Sequence, residues 1–208
     1  MANKGKYYES QFEEATIELL REAHWQYTLG DDIHRKYTDP LIEEDLRNFL
    51  AVQYKDKNLT TSEMDGIVAN LRNTGGQNDY YALRNAFLLY RDGYDFAYSD
   101  SRDNPFRMEY IDFEHPDHNI FRCVNQFVME QGRENRRPDI LLFINGIPVC
   151  IIELKNPTKQ NATIRDAHTQ ICTRYMRDIP ALLKYCALAV ISDGAKNALG
   201  TTYTPFEF

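Results

Sequence analysis

Two short runs that are apolar on both faces, Ile140-Leu141-Leu142-Phe143-Ile144 and Val149-Cys150-Ile151-Ile152, flank Asn145-Gly146 and limit most strongly what this chain can fold into. Asn-Gly is the strongest short-range hairpin signal, because both residues of the tight turn must take positive φ. Strands without a polar face need cover on both sides, so the hairpin predicts a sheet buried between helices. A helix over about 163–177 follows, with Ile164, Ala167, Ile171 and Tyr175 on its apolar face. A helical turn at Pro180-Ala181-Leu182-Leu183 then leads to another buried run, Ala187 to Ser192. Hairpin, helix and strand make an α/β core.

The first half reads differently. Apolar residues recur at helical spacing from about Glu9 to Ala23, again after Pro40 (Ile42, Leu46, Phe49, Leu50), and from about Ser62 (Met64, Ile67, Val68, Leu71). Asn73-Thr74-Gly75-Gly76 ends the third helix, and Asp79 is placed to cap a fourth that closes at Gly93. Between about Asp92 and His118 the pattern dissolves into short strands and loops, and Phe121 to Met129 alternates as a strand before a polar turn at 130–137. No repeat or linker divides the chain. The expectation is one domain over 1–208, mainly helical through 105, with the α/β core in 106–208.

The net charge of -7 argues against tight autonomous binding to nucleic acid, which depends on neutralising phosphates. It leaves room for an enzyme to which partners deliver DNA. Four scattered cysteines without a CxxC pair read as buried thiols in a reducing compartment, not as a zinc site. No apolar run reaches membrane-spanning length and the N-terminus lacks a secretory apolar stretch, so a cytoplasmic protein with no membrane association is expected.

Chemistry concentrates where the hairpin closes. Pro138-Asp139 heads the first strand and Glu153-Leu154-Lys155 ends the second. Residues i and i+2 of a strand share a face, so Glu153 and Lys155 point the same way. Two carboxylates suit Mg²⁺, and a lysine beside them adds positive charge for phosphodiester hydrolysis. Register makes a demand on this reading. A plain two-residue turn pairs Ile144 with Ile147 and sets Asp139 opposite Ile152, which sends Glu153 to the other face. The carboxylates converge only if the hairpin has a three-residue loop or a bulge.

The run from Arg137-Pro138-Asp139 through Asn145-Gly146-Ile147-Pro148 to Ile152-Glu153-Leu154-Lys155-Asn156-Pro157 resembles the PD-(D/E)xK nucleases, specifically the N-terminal nuclease domain of type I restriction enzyme R subunits. Asn119, Phe121 and Asn125-Gln126-Phe127 upstream, and Ala167 to Tyr175, Asp178 to Leu183, Ile191 to Gly194 and Gly200-Thr201 downstream, extend the likeness. The resemblance implies a restriction-endonuclease-like core, a central mixed sheet flanked by helices, behind a helical N-terminal region. It makes Asp139 and Glu153 the metal carboxylates, Lys155 the catalytic lysine and Mg²⁺ the cofactor. It further implies double-stranded DNA as substrate, methyltransferase and specificity subunits as partners, and ATP only for a motor absent from this chain, which has no phosphate loop.

Three supporting residues come with the resemblance. Glu13 matches an acidic residue that some branches add from the first helix, although a solvated helix charge beside Glu14 explains it as well. Gln170 and Tyr175 match a helical Gln-x-x-x-Tyr pattern but stand five apart, a spacing that separates them on an α-helix. His115-Pro116-Asp117-His118 reads as a loop. Arg133, Arg136, Arg137, Lys159 and Arg165 are candidates for meeting phosphates, or solvated charges. Two other readings stay open: a stand-alone nuclease of this superfamily such as a junction resolvase, and a non-catalytic docking module.

Overall fold

The computed structural model describes residues 4–100, 103–155 and 163–207, with side chains from Ser10 onward. The chain opens with α1 (Lys4–Glu22) and β1 (Gln26–Leu29), followed by three helices, α2 (Glu43–Gln53), α3 (Thr61–Asn73) and α4 (Asp79–Asp92). A small ribbon, β2 (Tyr94–Phe96) with β3 (Phe106–Met108), precedes β4 (Phe121–Asn125), and a second ribbon pairs β5 (Met129–Gln131) with β6 (Glu134–Arg136). Then come β7 (Ile140–Ile144) and β8 (Ile147–Leu154). A helical rod runs through α5 (Ile164–Thr169), a π-helical stretch (Gln170–Tyr175) and α6 (Met176–Asp178). It leads to α7 (Pro180–Leu183), β9 (Leu188–Ser192) and β10 (Asn197–Gly200).

Six strands form one mixed sheet in the order β1-β4-β7-β8-β9-β10. β1 and β4 run parallel, as do β8 and β9, and the other neighbours are antiparallel. Helices cover both faces, as the two-sided apolar strands require. On one face α1 lays Ile17, with Phe12 and Leu20, against Ile140, Cys150, Ile152 and Leu154. On the other, the rod and α7 pack Ala167, Ile171, Tyr175, Ile179 and Leu182 over Leu141, Ile151, Ala189 and Ile191. A third cluster joins α2, α3 and α4 to the turn end of β7–β8, through Leu46, Leu50, Ile67, Leu71, Tyr90, Tyr110 and Ile147.

Local chemistry sets several boundaries differently from the sequence pattern. Pro40 lies ahead of α2, which starts at Glu43, and Asn78 rather than Asp79 caps α4 by accepting from Tyr81 N at 3.1 Å. An amide side chain in extended backbone reaches the free N–H groups of the first turn, whereas Asp79 is already helical. The strand expected through Met129 stops at Asn125. Gln126 takes φ 57, and the chain turns so that Phe127 enters the core before β5 begins. The polar stretch that follows is the β5–β6 ribbon rather than an open turn. All four cysteines are free thiols, with Cys123, Cys150 and Cys186 buried.

Candidate active site

The geometry of the site begins at the far end of the hairpin, in its turn. Asn145 at φ 50 and Gly146 at φ 76 form a two-residue turn, with Ile144 opposite Ile147 and Phe143 opposite Pro148. Left alone, that register would separate the two carboxylates. Val149 is instead an extra residue: Leu142 pairs with Cys150, and the ladder continues to Ile140 opposite Ile152. The bulge shifts the register by one, so the next step sets Asp139 across from Glu153. The hairpin thus has the bulge, and not the three-residue loop.

Glu153 lies on the face covered by the helical rod and is only 1% exposed. Its Oε1 accepts from Lys155 Nζ at 2.6 Å, and its Oε2 accepts from the Tyr175 hydroxyl at 3.3 Å. Lys155 Nζ also donates to Gln170 Oε1 at 3.0 Å, and Gln170 Nε2 donates to the Tyr175 oxygen at 2.7 Å. These four side chains close a ring of hydrogen bonds. Asp139 Oδ2 accepts from Leu154 N at 2.7 Å, which fixes this carboxylate against the strand that carries Glu153.

The joining of Gln170 to Tyr175 corrects the expectation that their spacing keeps them apart. Residues 170–175 form a π-helix, whose wider turn accommodates one extra residue. Residues i and i+5 then stack as i and i+4 do on an α-helix. Tyr175 is both core and site: its ring packs in the apolar cluster while its hydroxyl reaches Glu153.

Burial, and next the facing Asp139, push the Glu153 carboxyl up to about 8, against the opposing pull of Lys155. Burial likewise raises the Tyr175 phenol, with Glu153 adding to it. Two facing carboxylates, Glu153 buried and Asp139 half-buried, fit a hard divalent cation such as Mg²⁺.

Glu13 is not a solvated helix charge. It is half-buried on α1, and its Oε1 accepts from Asn125 Nδ2 at 2.8 Å and Gln126 Nε2 at 3.1 Å. Asn125 ends β4 opposite Ile140, so Glu13 stands at the same end of the sheet as the carboxylate pair. The left-handed Gln126 turns its amide toward this carboxylate, a link that strand alternation alone did not reveal.

The remaining candidates separate cleanly. Arg136 Nε is paired with Asp178 at 2.7 Å and its Nη2 with Glu134 at 2.7 Å, while Arg165 meets Glu207 at 3.3 Å on the surface. Arg133 is exposed in the β5–β6 ribbon, and Lys159 lies outside the described residues. His115 and His118 come together with Asp112, their ligand-type atoms lying within 4.8 Å of one another. Asp112 is committed to ordering that loop, accepting from Glu114 N, His115 N, Gln53 Nε2 and His118 Nδ1 at 2.8–3.0 Å. The cluster sits at the turn end of the hairpin, linked to Asn145 through Asn119, remote from Glu153.

The family model described as type I restriction enzyme R protein N terminus matches residues 6–208. The chain belongs to this family. It is 29% identical over 209 residues to the type I restriction enzyme HindI endonuclease subunit of Haemophilus influenzae, covering 96% of this chain and 20% of that protein. A Methanocaldococcus jannaschii protein, provisionally named the type I restriction enzyme MjaIXP endonuclease subunit, is 31% identical over 197 residues, covering 91% of this chain and 19% of that one. The chain therefore spans about a fifth of the length of these two relatives. Among the described residues, no helix is long and apolar enough to cross a membrane.

Proposed function

We propose that this chain is the Mg²⁺-dependent nuclease domain of a type I restriction enzyme R subunit, a restriction-endonuclease-like unit over residues 1–208 that hydrolyses phosphodiester bonds of double-stranded DNA. The observation that carries this reading is the Val149 bulge, which sets Asp139 across from Glu153 with Lys155 at 2.6 Å from Glu153. A bulge that re-aims side chains at a strand end is a functional device more often than a packing defect. Asp139 and Glu153 are the residues to hold the cation. When bound, the cation supplies Lewis-acid activation of water and neutralises phosphate charge.

Lys155 lies where its ammonium meets negative charge developing on the phosphate. Gln170 and Tyr175 are positioning residues that fix the Lys155 and Glu153 rotamers, and Glu13 supports the same end of the sheet through Asn125 and Gln126. The relatives' names place them in multisubunit restriction enzymes. By extension, this chain acts in the cytoplasm with methyltransferase and specificity subunits, and cuts non-specifically after ATP-driven translocation by a motor in the rest of the subunit. The test is Glu153→Ala in the assembled enzyme. Mg²⁺-dependent cleavage is expected to vanish with ATP hydrolysis retained; undiminished cleavage would refute the assignment.

A further inference from the structure

Beside the hydrogen-bonded ring lies a concavity of about 340 Å³ lined by Asn135, Arg136, Arg137, Gln170, Arg174 and Tyr175. Three guanidiniums and no carboxylate line it, in a chain whose net charge is -7. Gln170 and Tyr175 belong to both this wall and the ring around Glu153, so the basic hollow opens directly beside the carboxylate pair. The arginines are not equivalent. Arg136 is spent on Asp178 and Glu134. Arg137 and Arg174 are exposed and form no hydrogen bond or ion pair among the described residues.

Both are placed by features already tied to the site. Arg137 immediately precedes Pro138-Asp139, and Arg174 lies inside the π-helical stretch that brings Gln170 to Tyr175. The cleft on the α1 side of the same sheet end is acidic instead, lined by Glu13, Glu14 and Glu18 with Arg21 as its one basic residue. A polyanion is therefore admitted from the arginine side.

We propose that Arg137 and Arg174 form a backbone-phosphate subsite that grips the DNA strand next to the bond being cut. Guanidinium forks present paired N–H donors to phosphate oxygens, and two unpaired ones lose no internal ion pair on engaging them. Phosphate contacts of this kind set register and orientation without reading sequence, which suits cleavage at non-specific positions. This inference rests on the nuclease reading above and deepens it.

Single-turnover cleavage of duplex DNA by the assembled enzyme tests it, using Arg137→Ala, Arg174→Ala, the double variant and the matching Lys variants. Asp139→Asn serves as reference, and ATP hydrolysis checks assembly. Each Ala change is expected to slow cleavage by about tenfold or more, as for a lost charge-assisted hydrogen bond. The double variant should lose more and show a shallower dependence on salt. Lysine should restore part of the rate, because charge returns without the fork. Should an alanine variant fail to assemble, Arg→Gln, which keeps most of the stem, carries the same expectation. Wild-type rates from the double variant at every salt concentration, with Asp139→Asn inactive, would overturn the arginine subsite alone. Full activity of Asp139→Asn would instead bring down the nuclease reading.

Discussion

At one end of the β7–β8 hairpin Asn145 is fully buried, and at the other Glu153 is almost so. Asn145 is saturated with neutral partners. Its Nδ2 donates to Tyr110 O at 2.9 Å and Asn119 Oδ1 at 2.8 Å, and its Oδ1 accepts from Ile120 N at 2.7 Å. Its backbone adds a bond to Ile120 O at 2.9 Å, and the next residue, Gly146, accepts from Ile42 N at 2.9 Å. Glu153 is a carboxyl that faces Asp139 and accepts from Lys155, and it is pushed up to about 8. Neutral hydrogen bonds satisfy the first group, whereas burial and neighbouring charge shift the ionisation of the second, as is common where side chains do chemistry. The same two strands carry both solutions.

Removing Glu153 chemistry should have the largest effect. Glu153→Gln is expected to reduce Mg²⁺-dependent cleavage about 1,000-fold or more in the assembled enzyme, measured in single turnover. The metal-free protein should melt higher at pH 8, because a buried charge opposite Asp139 is gone. A variant that cuts normally, or melts lower, would make the two hairpin ends alike.

The mirror experiment is Asn145→Ala. It strands the half-buried Ile120 N–H and the buried Tyr110 carbonyl and puts alanine at φ 50. Denaturant titration should show a loss of about 3–5 kcal/mol, while whatever remains folded still binds metal. Tyr175→Phe breaks the hydrogen-bonded ring at one atom and is expected to slow cleavage roughly 10- to 100-fold with the fold intact. Deleting Thr173 should do much less. It converts the π-helical stretch to an α-helical one and brings Gln170 and Tyr175 to the i, i+4 spacing, so cleavage is expected to stay within a few-fold of wild type. Activity as low as that of Tyr175→Phe would show that the wide turn has a role beyond restoring that contact.

The smallest effect is on pH dependence. The Glu153 carboxyl is raised from 4.5 to about 8 in the fold, so between these values the native state holds a proton that the unfolded chain has released. Its contribution to stability is complete below about 4.5 and is lost as pH rises toward 8. Without metal, the difference in stability between wild type and Glu153→Gln should widen over that window, as read from melting curves at stepped pH. A constant difference would mean that Glu153 ionises in the fold as it does in the unfolded chain.

Much of this arrangement is readable in residues. Asn145-Gly146, two apolar runs and the i, i+2 placement of Glu153 and Lys155 lead directly to the hairpin and its charged end. The arithmetic of the turn even requires an irregularity, but not where it falls. Val149 resembles its neighbours, and only the pairing of the folded strands marks it as the extra residue. Likewise, the five-residue step from Gln170 to Tyr175 shows a mismatch, yet its resolution by a π-helix depends on partners brought together by the fold. β1 and β10 escape notice because Gln26–Leu29 and Asn197–Gly200 are short edge strands with no buried run to mark them. Arg174 is silent in sequence, since only the rod's placement over β8 brings it beside Arg137.

The most direct test of the central claim is calorimetric titration of Mn²⁺ or Mg²⁺ into the wild-type chain and into Asp139→Ala/Glu153→Ala. One site per chain is expected in the wild type, with binding strengthening as pH rises toward 8 and absent from the double variant. Equal binding by the two proteins would contradict the account, because the cation would then lie somewhere other than between the carboxylates that the bulge brings together.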